Sequence, residues 1–206
     1  MNDHTSAAVA RVRERVSAEE WAAREDLAAC YRLAAHFRMT DLIYTHISAR
    51  VPGPEHHFLI NAFGQMWDEI TASSLVKVTA GGEIVDDPLG LGINRAGYVI
   101  HSAVHGARAD VGCVTHTHPP AGIAVSAQEH GLLPISQHAM RFTGRLAYHD
   151  YEGLALELDE QQRLIRDLGT HNAMILRNHG LLTCGASVAQ ACDLMYYLER
   201  ACQTQL

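Results

Sequence analysis

The sequence holds no C-x-x-C pair among its five cysteines, no apolar stretch long enough to span a bilayer and no cluster of basic residues. Each absence removes a class of protein. An odd number of scattered cysteines (Cys30, Cys113, Cys184, Cys192, Cys202), most of them inside apolar segments, does not make a disulfide framework, and reads as reduced core residues of an intracellular protein. The N-terminal stretch lacks the apolar core and small-residue cleavage site of a signal peptide, so a cytoplasmic location is expected. A net charge of −7 without a basic patch makes nucleic acid and anionic membrane poor candidate partners. Also missing are G-x-G-x-x-G, the P-loop, G-x-S-x-G and any internal repeat, and Gly90-Leu-Gly92 alone is too little for a phosphate cradle.

The 206 residues, 48% hydrophobic and 19% charged, have the make-up of one ordinary globular domain with a sizeable core. Residues 1–19 read as an N-terminal arm with a solvated run of Arg11, Arg13 and Arg15, and residues 20–206 as the domain. Ser17-Ala-Glu-Glu20 has the form of a capping box and opens a helix expected to reach about Arg38, with Trp21, Leu27, Tyr31, Ala34 and Ala35 on its apolar face. Leu42–Val51 alternates as a strand with Tyr44, His46, Ser48 and Arg50 on a polar side. His56–Ile60 is a second strand, Trp67–Ser74 a turn with a short helix, and the stretches around Ala80-Gly-Gly82 a hairpin. Helices are expected over Tyr98–Arg108, Ala121–Glu129, Asp159–Leu168 and from Ser187 onward, with a loop through Pro134, His138 and Gly144 and a final strand leading to His179. The pattern is that of an α/β layered domain around a mixed, largely antiparallel sheet.

The composition includes 14 histidines, and the chemistry concentrates in two places. Val111–Pro120 is a short apolar run that ends in His116-Thr-His118 and is stopped by two prolines. Residues i and i+2 of a strand share a face, so both imidazoles project side by side from the strand end. His179 follows a second apolar run, Ala173–Leu176, and precedes a glycine. Three imidazoles converging at one sheet edge would hold a divalent cation and leave a coordination position open for substrate. His101 and His105, at i and i+4 of a helix without an H-E-x-x-H pattern, read instead as structural.

These residues carry a resemblance. His116-Thr-His118 and Arg177-Asn-His179-Gly180-Leu181, behind Thr45-His46-Ile-Ser-Ala-Arg50 and Glu69–Ser74, resemble the class II aldolase/adducin family from about Glu20 to the C-terminus. The likeness is strongest to the adducin-head branch and its bacterial relatives, through His101–His105, Ala121–Ser126, Leu132–Ser136 and Ala147–Tyr151. It implies a three-layer α/β/α domain around a nine-stranded sheet, a homotetramer with sites between subunits, and His116, His118 and His179 as ligands of a divalent metal ion. Zinc is the first expectation for that ion, with manganese, cobalt or iron in some branches. An apolar-aromatic surface around Tyr196, Tyr197 and Leu198 fits the expected oligomer.

Two departures shape the functional expectation. The general-base glutamate of the sugar-phosphate aldolases falls by spacing on Gly97, and their phosphate-holding serines on Arg95-Ala96. Near the position of their proton-donating tyrosine this chain has His138, a candidate acid/base; Arg95 and His46 are candidate substrate contacts. The expected activity is a metal-dependent carbon–carbon lyase, of aldolase or decarboxylase type, on an unphosphorylated hydroxy or keto acid or aldehyde. A non-haem iron oxygenase on the same centre and a non-enzymatic interaction module are the alternatives.

Overall fold

A computed structural model of the protein describes residues 11–153 and 158–206. Helix α1, Ala18–His36, starts where the sequence predicts, with Ser17 Oγ accepting from the Glu20 amide at 3.1 Å. The other half of the capping box does not form. Glu20 turns inward to accept from Arg24 Nε and Lys77 Nζ, each at 2.9 Å. Arg24 is fully buried and also donates to the carbonyls of Leu75 at 2.9 Å and Ala72 at 3.3 Å, tying α1 to the segment that enters the third strand. Most of the expected arm lies outside the described residues. Its last part, residues 11–15, is helical and packed down rather than loose: Val12 is buried and Arg15 pairs with Asp86 at 2.8 Å.

The strands are β1 His46–Arg50, β2 Phe58–Ile60, β3 Val76–Val78, β4 Ile84–Asp86, β5 Cys113–Thr117, β6 Leu146–His149, β7 Ala173–Leu176 and β8 Gly180–Gly185. They form one sheet in the order β4-β3-β2-β1-β5-β8-β7-β6, antiparallel at every pairing except β6 with β7. The expected sheet character holds, with eight strands among the described residues where the resemblance implied nine. β1 is shorter than the alternation of 42–51 suggested. Leu42 and Thr45 take φ of 49° and 69°, and the Tyr44 amide bonds to the Asp41 carbonyl at 2.8 Å, so the chain turns before it pairs. His179 does not end the sheet either: it sits in the turn between β7 and β8, whose apolar residues 181–184 make the central neighbour of β5.

The remaining helices are α2 Arg95–Ala107, α3 Pro120–Ser126, α4 Gln137–Met140, α5 Leu158–Leu168 and α6 Val188–Gln205. The stretch expected as a loop around His138 therefore contains a turn of helix, capped by Ser136 Oγ on the Ala139 amide at 3.1 Å. Period-2 alternation sorts the core into two layers. Leu27 and Tyr31 of α1, Val125 of α3 and Met195 of α6 share a cluster with Ile47, Cys113, Ile175 and Leu181. Ile100 and Val104 of α2 with Leu164 and Leu168 of α5 share the other with Val114, Met174 and Leu182. The result is the expected α/β/α arrangement. Among the described residues no helix is long and apolar enough to cross a membrane.

The surroundings of two sequence features are now defined. α2 covers the polar side of β1, and Ser48 Oγ lies 2.8 Å from His101 Nδ1 and 2.9 Å from His105 Nε2, so the i,i+4 pair is a buried structural couple as its sequence context suggested. On α6 the expectation holds for the two tyrosines and fails for Leu198, which is buried. Tyr196 and Tyr197 border an apolar recess between α1 and α6, a cavity of about 440 Å³ that Leu33, Phe37, Met39 and Val188 also line. The guanidinium groups of Arg200 and Arg141 lie 5.1 Å from the Tyr196 ring and 4.1 Å from the Tyr197 ring.

Removing one partner of a buried ion pair leaves an uncompensated charge, which costs more than removing both. Arg24→Ala is expected to lower the unfolding free energy by about 3 kcal/mol or more in urea denaturation. A double Glu20→Gln, Arg24→Met variant should recover part of that loss.

Candidate metal centre

The site forms where β5 ends. His116 is the fourth residue of β5 and His118 follows one residue past its end, where Pro119 caps α3. Because β8 pairs with β5 through Thr117 and Leu181, the β7–β8 turn is delivered beside His118. Two backbone features make that turn tight enough. Asn178 takes φ 55°, tolerated by its short polar side chain, and a Cβ on Gly180 would stand 2.6 Å from the Thr117 carbonyl oxygen and 2.9 Å from His118 Cδ2. The rings of His116, His118 and His179 then meet with centroids 4.7–4.8 Å apart, and one nitrogen of each lies within 4.8 Å of the other two.

The hydrogen bonds around the cluster set its chemistry. His116 Nδ1 is 3.0 Å from the Leu181 carbonyl oxygen, which only accepts, so Nδ1 carries the proton and Nε2 a lone pair. His118 Nδ1 is 3.0 Å from Asp41 Oδ2, which likewise holds the proton on Nδ1. The two Nε2 atoms face each other at 3.1 Å. At that distance the pair either shares a proton or holds a metal ion between its nitrogens. Nitrogens bound tetrahedrally to an ion at about 2.0–2.1 Å are roughly 3.3 Å apart, so the observed spacing fits one ion with little adjustment.

Burial disfavours the charged form of two of the three rings. It pushes the His116 pKa well below its ordinary value, with the neighbouring His179 and His118 adding to the effect. His179 is lowered to about 4, again by burial first and then by His118 and His149. Neutral imidazoles are the form that binds a metal ion, so at His116 and His179 no proton need be displaced at neutral pH.

The other sequence candidates divide. His46 lies beside the cluster: it is opposite His116 in the β1–β5 register, 4% exposed, and neither ring nitrogen has a hydrogen-bond partner among the described residues. Its ring packs on Gly97 so closely that a Cβ there would stand 2.1–2.9 Å from three ring atoms. Burial, then His118, lowers its pKa to about 4, so it is a neutral imidazole at neutral pH. Arg95 is exposed at the first position of α2. His138, half-buried on α4, stacks against Tyr197 of α6 with ring centroids 5.2 Å apart, and no recorded contact joins it to the cluster within one chain. The Gly90-Leu-Gly92 loop is no anion cradle, since the Asp87 carboxylate already accepts from the amides of Leu89, Gly90 and Gly92.

Sequence reasoning missed Asp41. Nothing in its local pattern marks it, because its carboxylate reaches His118 only through the left-handed turn at Leu42 and Thr45.

Three imidazoles converging at the ends of the central strands of a three-layer α/β domain could hold a metal ion. Residues 25–206 match the Class II Aldolase and Adducin N-terminal domain, and the chain belongs to that family. An aldolase II superfamily protein from Pseudomonas syringae superposes with a TM-score of 0.93 and 65% identity over 94% of this chain and 78% of that one. L-fuculose 1-phosphate aldolase from Glaciozyma antarctica superposes with a TM-score of 0.83 and 31% identity, covering 91% and 73%. Alpha-adducin of Rattus norvegicus is 48% identical over 182 residues, 87% of this chain and 25% of the adducin.

The buried histidines predict an acid-labile protein. His46 and His179 are lowered to about 4, His105 to about 3, and His101 and His116 are also depressed, all principally by burial. Below the unfolded value of about 6.5 the unfolded chain takes up protons that the folded one refuses. Stability of the metal-free protein should be intact above that pH and fall through the window toward about 4, by up to about 1.4 kcal/mol per pH unit for each histidine. Urea titrations at stepped pH check this.

Proposed function

We propose that the protein is a metal-dependent carbon–carbon lyase, of aldolase or decarboxylase type, acting on an unphosphorylated hydroxy or keto acid or aldehyde. His116, His118 and His179 hold one divalent ion, with zinc expected before manganese, cobalt or iron. The observation that carries this reading is the convergence of one nitrogen from each of the three imidazoles within 4.8 Å, with the Nδ1 atoms of His116 and His118 turned outward to Leu181 and Asp41. Once bound, such an ion would polarise substrate oxygens and stabilise the negative charge that develops as a carbon–carbon bond breaks.

The surrounding residues supply the rest. His46, neutral and unpartnered, offers a hydrogen bond to a substrate group beside the cluster. Arg95 offers a bidentate contact to a carboxylate at the mouth of the site. His138 serves as acid/base only if a neighbouring subunit brings it to the cluster, which requires a homo-oligomer, expected as a tetramer. Similarity to an L-fuculose 1-phosphate aldolase favours aldol-type chemistry. The glycine at 97, whose space the His46 ring takes, leaves no carboxylate base there and favours a reaction that needs none, such as decarboxylation. The 48% identity with alpha-adducin favours a second reading, an interaction module that retains the fold without turnover.

Protein purified without a nickel column is expected to carry close to one divalent ion per chain by elemental analysis. His118→Ala should abolish binding, and Asp41→Ala should weaken it about 10–100-fold by releasing the imidazole from its fixed tautomer. Metal content near zero, with no uptake of zinc, manganese or iron, would overturn the centre. A metal-reconstituted screen of keto acids, hydroxy acids and sugar phosphates, read by carbon dioxide release, aldehyde formation and oxygen uptake, tests the reaction; turnover of a sugar phosphate alone would refute the substrate class. Light scattering at micromolar concentration tests the oligomer, and a strict monomer would remove His138 from the site.

A further inference from the structure

A second polar constellation adjoins the cluster and is used by none of the chemistry above. His149, the last residue of β6, is 5% exposed, and its Nδ1 lies 2.8 Å from Asp167 Oδ2 on α5. An acceptor-only carboxylate at that distance keeps the proton on Nδ1, and in the neutral imidazole this leaves Nε2 as a lone pair. That Nε2 is buried without a hydrogen-bond partner among the described residues. Buried polar atoms in native proteins seldom stay unpaired, which leaves a place for a bound hydrogen-bond donor.

The place for that partner is adjacent. His149 and His179 line one cavity, together with Tyr151, Arg177, Ile100 and Leu176. The cavity leaves about 20 Å³ of space for water, enough for one molecule and too little for a carboxylate or a phosphate. Both the size and the chemistry therefore select the same occupant. A lone pair fixed in place binds a hydrogen-bond donor and repels an anionic oxygen.

We propose that His149, held by Asp167, is the acceptor of a hydroxyl subsite beside His179: it binds one water in the resting protein and the hydroxyl of a 2-hydroxy acid when substrate enters. The subsite rests on the proposed lyase reading for its substrate and on the geometry alone for its water. It narrows the substrate class to molecules that place a hydroxyl donor, not a second oxo group, at the His179 side of the centre.

Two measurements test the two halves. Nitrogen-15 NMR of the metal-free protein should show His149 as the Nδ1–H tautomer, and a high-resolution crystal structure should place one water within hydrogen-bond distance of Nε2, absent in His149→Phe. A dry cavity, or an Nε2–H tautomer, would overturn the subsite whatever the enzyme does. For the substrate half, calorimetry on zinc-loaded protein with lactate and pyruvate as probes should show a lactate preference that falls roughly tenfold in His149→Phe, the value of one lost hydrogen bond, and persists in His149→Gln, which keeps an acceptor. An equal lactate-to-pyruvate ratio in wild type and His149→Phe would overturn the selection of a hydroxyl. If zinc does not bind at all, the metal-centre reading fails, while the water and tautomer still decide the subsite.

Discussion

The convergence of three imidazoles where β5 ends is the constraint around which this end of the sheet is arranged. The Leu181 carbonyl and the Asp41 carboxylate hold the Nδ1 protons of His116 and His118 on the far side, so both Nε2 atoms face inward, 3.1 Å apart. One of these anchors is backbone of the neighbouring strand and the other belongs to a turn before β1. The sheet pairing and the Asp41–Tyr44 turn thus orient the cluster before any ligand arrives. Two nitrogens so placed either share a proton or hold a metal ion.

The layer beneath α2 is the second unusual feature. His46, Ser48, His101 and His105 are all buried on one face of β1, where an ordinary three-layer protein would place aliphatic side chains. Ser48 satisfies one nitrogen of each helix histidine, and His101 Nε2 and both nitrogens of His46 have no hydrogen-bond partner among the described residues. Burial of so many titratable rings is tolerable because each is neutral near pH 7, and it is the reason the fold is expected to weaken in acid. The close seat of His46 on Gly97 makes the two positions interdependent: no side chain fits at 97 while that ring stays where it is.

Membership of a family that joins aldolases and adducins does not by itself separate catalysis from assembly, since 48% identity to alpha-adducin and 31% to an L-fuculose 1-phosphate aldolase both accompany the same fold. What bears on the choice is local. His116, His118 and His179 bring one nitrogen each within 4.8 Å of the others, with the Nδ1 atoms of the first two anchored outward, an arrangement that could hold an ion.

Much of this was written in the sequence. The Ser17 cap, the apolar runs of β5 and β7 and the H-x-H spacing depend on residues close in the chain, whose steric and hydrogen-bonding preferences act locally, and they led to a layered α/β domain and to His116, His118 and His179 as a group, while the three-layer α/β/α form came from the family resemblance. The strand β8 escaped notice because a four-residue apolar run after a turn has no periodicity to distinguish it from a loop that happens to be buried. Whether the polar side of β1 would face water or a helix, whether Leu198 would be covered, and which carboxylate would reach His118 were decided only by tertiary packing. Burial and tautomer are set by what lies across the sheet, and Asp41 is separated from His118 by 77 positions in the chain, too far for any local pattern to register.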